Sequence, residues 1–188
     1  FSSLIDLPIL FPLWLRMLLA IPPTIIILSN LGIKFLIIPI FVEIFEASKN
    51  YSCIITYPED VLVGKNMNDS SQVKELNNIK NDDLILDIGP KTISKIKNII
   101  KTSETVLWNG PAGYFENPNF ANGSYEIAKA IVKKNKNKSI YSVAGGGDTI
   151  ALINQINAIE DCNFVSTAGG AFLEYLEGKE LPSIKALK

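Results

Sequence analysis

The sequence predicts an α/β fold: one domain built on a parallel sheet with helices on both faces. Three observations carry that expectation. From about residue 52 onward, short β-rich runs alternate with segments whose apolar residues recur at helical spacing. Three of the turns from strand to helix are rich in glycine. The chain has 188 residues, 47% of them apolar and 20% charged, which is one domain's worth of chain with enough apolar surface for a core.

Taken in order, residues 52–56 (SCIIT) and 61–63 (VLV) read as strands around Tyr57-Pro58-Glu59-Asp60. Residues 64–82 are rich in Asn, Asp and Ser and read as a surface excursion. Leu84-Ile85-Leu86 is a short strand ending in Asp87, and Gly89-Pro90 breaks it, with Pro90 suited to the first turn of a helix. That helix carries Ile93, Ile96, Ile99 and Ile100 on one face. A strand over 105–108 follows, then a helix over 124–134 burying Ile127, Ala128, Ile131 and Val132. The lysines between 133 and 138 suit the negative end of that helix and read as a solvated terminus. Residues 139–143 read as a strand, 149–156 as a helix, 163–165 as a strand, and 171–176 as a helix closed by Gly178. The alternation describes a Rossmann-like three-layer domain. Ligands of such sheets bind at the carboxyl ends of the strands.

The front of the chain differs from the rest. Residues 1–42 carry only three charges, Asp6, Arg16 and Lys34, whereas 43–188 is rich in Lys, Asn, Glu and Asp. The run from Met17 to Ile33 holds 17 uncharged residues, short of the roughly 20 that a membrane-spanning helix needs, and Pro22-Pro23 interrupts it. A membrane anchor is therefore not expected. A signal peptide is not expected either, since there is no basic leading region and no small-x-small cleavage site. What remains is an apolar stretch buried under a sheet, or sequence that is no native solution, such as a stretch translated in a shifted frame. The expected division is thus 1–42, divergent, and 43–188, a folded domain.

Composition also excludes chemistries. With no histidine, the chain cannot build a Ser-His-Asp or Cys-His triad of its own, a histidine general base, or the common zinc sets. Cys53 and Cys162 have no CxxC spacing and suit a reducing, cytoplasmic setting. A formal net charge of −1 gives no basic field for nucleic acid. Arg16 is the single arginine among 18 basic residues, so any phosphate must be held by lysine, backbone amides or another segment.

Three turns carry the candidate chemistry, and all three are expected at one edge of the sheet. In Gly145-Gly146-Gly147-Asp148-Thr149, glycine lets backbone approach a ligand, and the helix that follows offers unpaired N–H groups and a partial positive charge. Asp148 reads either as the N-cap of that helix or as one carboxylate for a magnesium ion carried by a nucleotide. There is no GxxxxGK[ST] and no GxGxxG. In WNGPAGYFE (108–116), Asn109 offers donor and acceptor and Glu116 a carboxylate suited to ribose hydroxyls, while Trp108 and Phe115 read as core anchors. Thr167 with Gly169-Gly170 repeats the phosphate-loop logic.

In order and spacing, WNGPAGYFE, AGGGDT and FVSTAGGAFLEYLEGKELPSIKAL, with YPEDVLVG and LILDIGPKT upstream, closely resemble the C-terminal, nucleotide-binding domain of the phosphoglycerate kinase family, over about residues 43–188. The resemblance implies reversible phosphoryl transfer between 1,3-bisphosphoglycerate and Mg-ADP, giving 3-phosphoglycerate and Mg-ATP in glycolysis. It implies ADP or ATP with Mg²⁺ as cofactors, a monomer, and a 3-phosphoglycerate partner only where an N-terminal domain is supplied. Carried over by position, Glu116 matches the ribose-binding residue. Asn109, Gly110, Pro111 and Gly113 match the loop beside base and ribose. Gly145, Gly146, Gly147, Asp148 and Thr149 match the phosphate loop, with Asp148 toward the metal. Gly147, Gly169 and Gly170 match positions near the transferring group. The family usually reads STGGGA where this chain has Ala168. Its GGAMA-type loop and GKS-type lysine segment, expected within residues 15–40, are not found; Lys34 alone lies nearby and is not assigned. The family's N-terminal domain is not seen in this sequence. The isolated chain is expected to bind ADP or ATP weakly and turn over little, or to be an inactive fragment or a stand-alone nucleotide-binding module.

Overall fold

A computed structural model describes residues 17–21, 24–28, 46, 48–49, 53–176 and 178–187. Among them, Met17–Ile21 forms β1, Thr24–Leu28 β2, Ile54–Thr56 β3, Asp60–Gly64 β4, Gln72–Glu75 β5, Leu84–Ile88 β6, Thr105–Asn109 β7, Tyr141–Gly145 β8 and Phe164–Ser166 β9. The helices are α1 (Pro90–Thr102), α2 (Asn122–Lys136), α3 (Gly147–Gln155), α4 (Gly170–Leu176) and α5 (Pro182–Lys185). Six strands form one sheet in the order β3-β1-β2-β7-β8-β9. In it β2, β7, β8 and β9 are parallel, and β1 is antiparallel to both of its neighbours. The succession β7-α2-β8-α3-β9 is the parallel α/β arrangement the alternation predicts.

Two features depart from the sequence reading. First, the strands at 61–63 and 84–86 do not join the parallel sheet. They become β4 and β6 of a separate antiparallel sheet in the order β5-β4-β6. Its third strand, β5, falls inside the supposed surface excursion. Gln-Val-Lys-Glu has one apolar residue, Val73, and that residue is 53% exposed, so no buried face marks the strand in sequence. Second, the apolar front contributes β1 and β2 to the large sheet, where β2 pairs in parallel with β7 from Thr24↔Thr105 to Leu28↔Asn109. Among the described residues no helix is long and apolar enough to cross a membrane. Lys34 lies outside the described residues.

The central strand β7 is buried because helices and neighbouring strands enclose Val106, Leu107 and Trp108. One core unites Val106 and Trp108 with Ile93, Ile96 and Ile100 of α1, Ile127, Ala128 and Ile131 of α2, and Leu152 and Ile153 of α3. The spacing of each set is that of one helical face. Ile99 and Val132, expected inside, are partly buried at its margin.

Helix ends are completed by residues remote in sequence. Neither α1 nor α2 has a side-chain cap of its own. The buried Asp60 carboxylate of β4 accepts the Lys91 amide (3.0 Å), the Thr92 amide (2.8 Å) and the Thr92 hydroxyl (2.8 Å) at the start of α1. The buried Asp87 of β6 accepts the Gly123 amide at the start of α2 (2.7 Å). Both place negative charge at the positive end of a helix and satisfy orphan donors there. At the other end of α1, the Lys134 ammonium donates to the carbonyls of Ile100 and Ser103. One member of the lysine run is therefore not merely solvated, as sequence suggested: it caps a neighbouring helix.

Candidate functional site

Register brings the three turns together. Asn109, Gly145 and Ser166 are successive Cα partners at the carboxyl ends of β7, β8 and β9. Parallel neighbours lie about 4.8 Å apart, so the chain leaves the sheet three times along one rim.

The turn after β8 is shaped for backbone exposure. Gly146 has φ +89° and occupies the N-cap of α3, so Asp148 is not the cap; it lies exposed in the first turn of the helix, where a carboxylate also favours the dipole. A Cβ on Gly146 would lie 2.9 Å from Asn109 Oδ1, so glycine is required there by conformation and by space. Gly147 is different: a Cβ there would meet nothing within 4 Å, and its φ is not positive. The first helical hydrogen bond of α3 runs from the Ile150 amide to Gly146 O, and the Gly147 and Asp148 amides take no partner among the described residues. Thr149 is fully buried, and its hydroxyl accepts the Gly110 amide at 2.5 Å.

The turn after β7 is held from within. Gly110 has φ +95°, and the Trp108 indole donates to its carbonyl at 2.8 Å. The buried Ser124 hydroxyl accepts the Ala112 (2.7 Å) and Gly113 (3.0 Å) amides, and the Tyr114 amide donates to Leu86 O at 2.7 Å. The amides of Gly110, Ala112, Gly113 and Tyr114 are thus spent on the fold. Pro111 and Gly113 are buried, and a Cβ on Gly113 would strike Phe120 O at 2.0 Å and the Asp87 carboxylate at 2.5 Å. Further on, Asn117 donates to Met67 O and Asn119 to Asp69 O, tying the loop to the turn between β4 and β5. Glu116 is exposed on this outward course and makes no hydrogen bond or ion pair among the described residues.

The turn after β9 begins at Ser166, whose hydroxyl accepts the Ala168 amide at 3.3 Å. Gly169 has φ +53°, and a Cβ on Gly169 or Gly170 would meet nothing within 4 Å. Thr167 and Ala168 are exposed beside them. On α4, the Phe172 ring lies 3.3 Å from where a Cβ on Gly145 would stand, joining this turn to the preceding one. The structure therefore brings Asn109, Gly110, Gly145, Gly146 and Thr149 into contact, with the Gly169-Gly170 turn alongside through Phe172. It puts Pro111 and Gly113 into the interior and leaves Glu116 out along the loop. Phe172 and Ser124 carry no sequence signal for these roles; only their neighbours reveal them. Among the described residues no three carboxylate or cysteine groups gather as a metal site.

A parallel α/β sheet with glycine turns along its carboxyl edge defines the class of domain that takes a ligand at that edge. The profile described as phosphoglycerate kinase matches residues 33–179, and the chain belongs to the phosphoglycerate kinase family. It is 43% identical over 147 residues to the phosphoglycerate kinase of Zymomonas mobilis, an alignment covering 77% of this chain and 37% of that protein. It is 45% identical over 150 residues to that of Buchnera aphidicola from Acyrthosiphon pisum, with the same coverages of 77% and 37%. The structure of phosphoglycerate kinase from Coxiella burnetii superposes with a TM-score of 0.72 at 35% identity, covering 78% of this chain and 37% of that one. The Pyrococcus horikoshii enzyme gives a TM-score of 0.63 at 34% identity, covering 77% and 34%. The chain thus spans about 37% of the length of the curated relatives it matches.

Proposed function

We propose that this chain is the nucleotide-binding part of a phosphoglycerate kinase and takes ADP or ATP at the rim formed by the three turns. The observation that carries the reading is the empty space at Gly147 and Gly170. Neither has a positive φ, and a Cβ at either would touch nothing, so the fold does not ask for glycine at these positions. A ligand approaching the backbone does. The free amides of Gly147 and Asp148 at the start of α3 suit a phosphate. Gly169 and Gly170 line the rim beside them, near the group that transfers. Asn109, at the end of β7, borders base and ribose, the buried Gly110–Gly113 segment holds it in place from beneath, and the exposed Glu116 accepts ribose hydroxyls. The single exposed carboxylate of Asp148 fits a magnesium ion that arrives with the nucleotide and keeps phosphate oxygens and water among its ligands.

The reaction is reversible transfer of a phosphoryl group between the acyl phosphate of 1,3-bisphosphoglycerate and ADP, in glycolysis and in the cytoplasm. Such transfer depends on positioning and on neutralising charge. The turns 109–116, 145–149 and 166–170 contain no lysine or arginine. These three turns therefore form a nucleotide cradle that does not itself hold the cations that speed transfer, and 3-phosphoglycerate becomes a partner when the remaining part of the family's length is supplied. The same observation favours a second reading, a module or inactive fragment that binds without turnover. Calorimetry with Mg-ADP and a coupled kinase assay test both. Binding at the rim with turnover at least 10³-fold below that of a whole enzyme is expected. Turnover restored by adding an N-terminal part of a relative favours the split kinase. No binding of Mg-ADP overturns the nucleotide reading.

A further inference from the structure

We propose that Thr149 is a positioning residue, whose hydroxyl acts with the Trp108 indole to hold the Gly110 backbone and so aim the Asn109 turn at the nucleoside. The proposal rests on the nucleotide reading above and gives Thr149 a different role from the phosphate contact that its place in the GGGDT turn suggests. Its neighbours Gly147 and Asp148 are exposed, but Thr149 is the next step round the helix and faces inward, with 0% of its surface accessible. Its oxygen already accepts the Gly110 amide at 2.5 Å. A side chain so enclosed has no surface to offer a phosphate.

What it does instead is bridge two turns. Gly110 is buried in a left-handed conformation, and its two polar groups are gripped from opposite sides: the amide by Thr149 of α3 and the carbonyl by the Trp108 indole at 2.8 Å. Asn109 immediately precedes this clamp, and Asn109 Oδ1 stands against Gly146. The phosphate turn and the loop that borders the nucleoside are thus registered to each other through one hydrogen bond inside the protein.

The test separates a positioning role from a phosphate contact by dividing the ligand. Adenosine and Mg-ADP are titrated calorimetrically into the full chain and into Thr149→Val, Thr149→Ser and Trp108→Phe. Removing the hydroxyl is expected to weaken adenosine and Mg-ADP by the same factor, about tenfold, the worth of one buried hydrogen bond. Thr149→Ser, which keeps the hydroxyl, restores both affinities. Trp108→Phe, which keeps a buried ring but removes the N–H, repeats the equal loss from the other side of Gly110 and serves if Thr149→Val does not fold. Loss of Mg-ADP affinity with adenosine affinity unchanged overturns the proposal in favour of a direct phosphate contact, and so do unchanged affinities for both. A wild-type chain that takes up neither ligand overturns the nucleotide reading and this inference with it.

Discussion

Replacing Gly147 by alanine separates a glycine kept for the fold from a glycine kept for a ligand. In the structure the added methyl meets nothing within 4 Å, and the residue opens α3 without a positive φ. The change therefore removes unfolded-state freedom at no steric cost and is expected to stabilise the chain by about 0.4–1 kcal/mol. For a domain of this size that raises Tm by roughly 1–4 °C. Binding is expected to move the opposite way. The methyl stands where a phosphate would approach the Gly147 and Asp148 amides, and loss of one hydrogen bond to a charged group costs about 1.5–3 kcal/mol. That is a fall in Mg-ADP affinity of roughly 10- to 150-fold. Thermal melts without ligand and calorimetry with Mg-ADP measure the two effects on the same preparation. An unchanged Kd in a folded Gly147→Ala protein would refute the reasoning, because the open space would then have no occupant. A fall in Tm would refute the premise that the fold tolerates a side chain there.

Two further substitutions address the scaffold. Asp60→Ala removes a buried carboxylate that accepts three hydrogen bonds at the start of α1, and loss of cap and orphaned donors together should cost about 2–4 kcal/mol in urea unfolding; a loss below about 0.5 kcal/mol contradicts the capping role. At Asp83, burial by itself raises the carboxyl's pKa, but hydrogen bonds from the Lys74 and Lys65 ammonium groups and the Lys80 amide overcome it and hold the group well below the usual carboxylate range. Because the folded value lies below the unfolded one of about 3.9, this site stabilises the fold above that pH and the contribution disappears as pH falls toward the folded value. Urea melts from about pH 6 to about pH 2.5 should show the gap between wild type and Asp83→Asn closing on acidification; a gap independent of pH contradicts the assignment.

Helix α1 shows how far a one-dimensional signal reaches. Ile93, Ile96 and Ile100 recur at the helical period, Pro90 marks the start, and the structure buries those residues on one face from Pro90 onward. The same holds for Ile127, Ala128 and Ile131 in α2. Strand β5 shows where the signal stops: an exposed edge strand of Gln, Val, Lys and Glu buries no face, so nothing periodic marks it. Lys134 likewise reads as one solvated lysine among several until the C-terminus of α1 is packed beside it.

For the candidate site, the residues are visible in sequence and their division of labour is not. Gly113 and Gly147 are equivalent letters in a string, each in a glycine-bearing turn after a strand. One is forced by the Asp87 carboxylate and the Phe120 carbonyl pressed against it, and the other faces open space. Asp148 and Thr149 are adjacent, yet one is exposed and the other sealed against Gly110. Composition, helical period and turn chemistry act through neighbours in the chain, so the sequence alone determined the α/β class, the order of most elements and the three turns. Register and steric closeness act between residues tens of positions apart. Only the folded chain could decide that the turns share one rim, that a second sheet forms from residues 60–88, and which glycines stand open to a ligand.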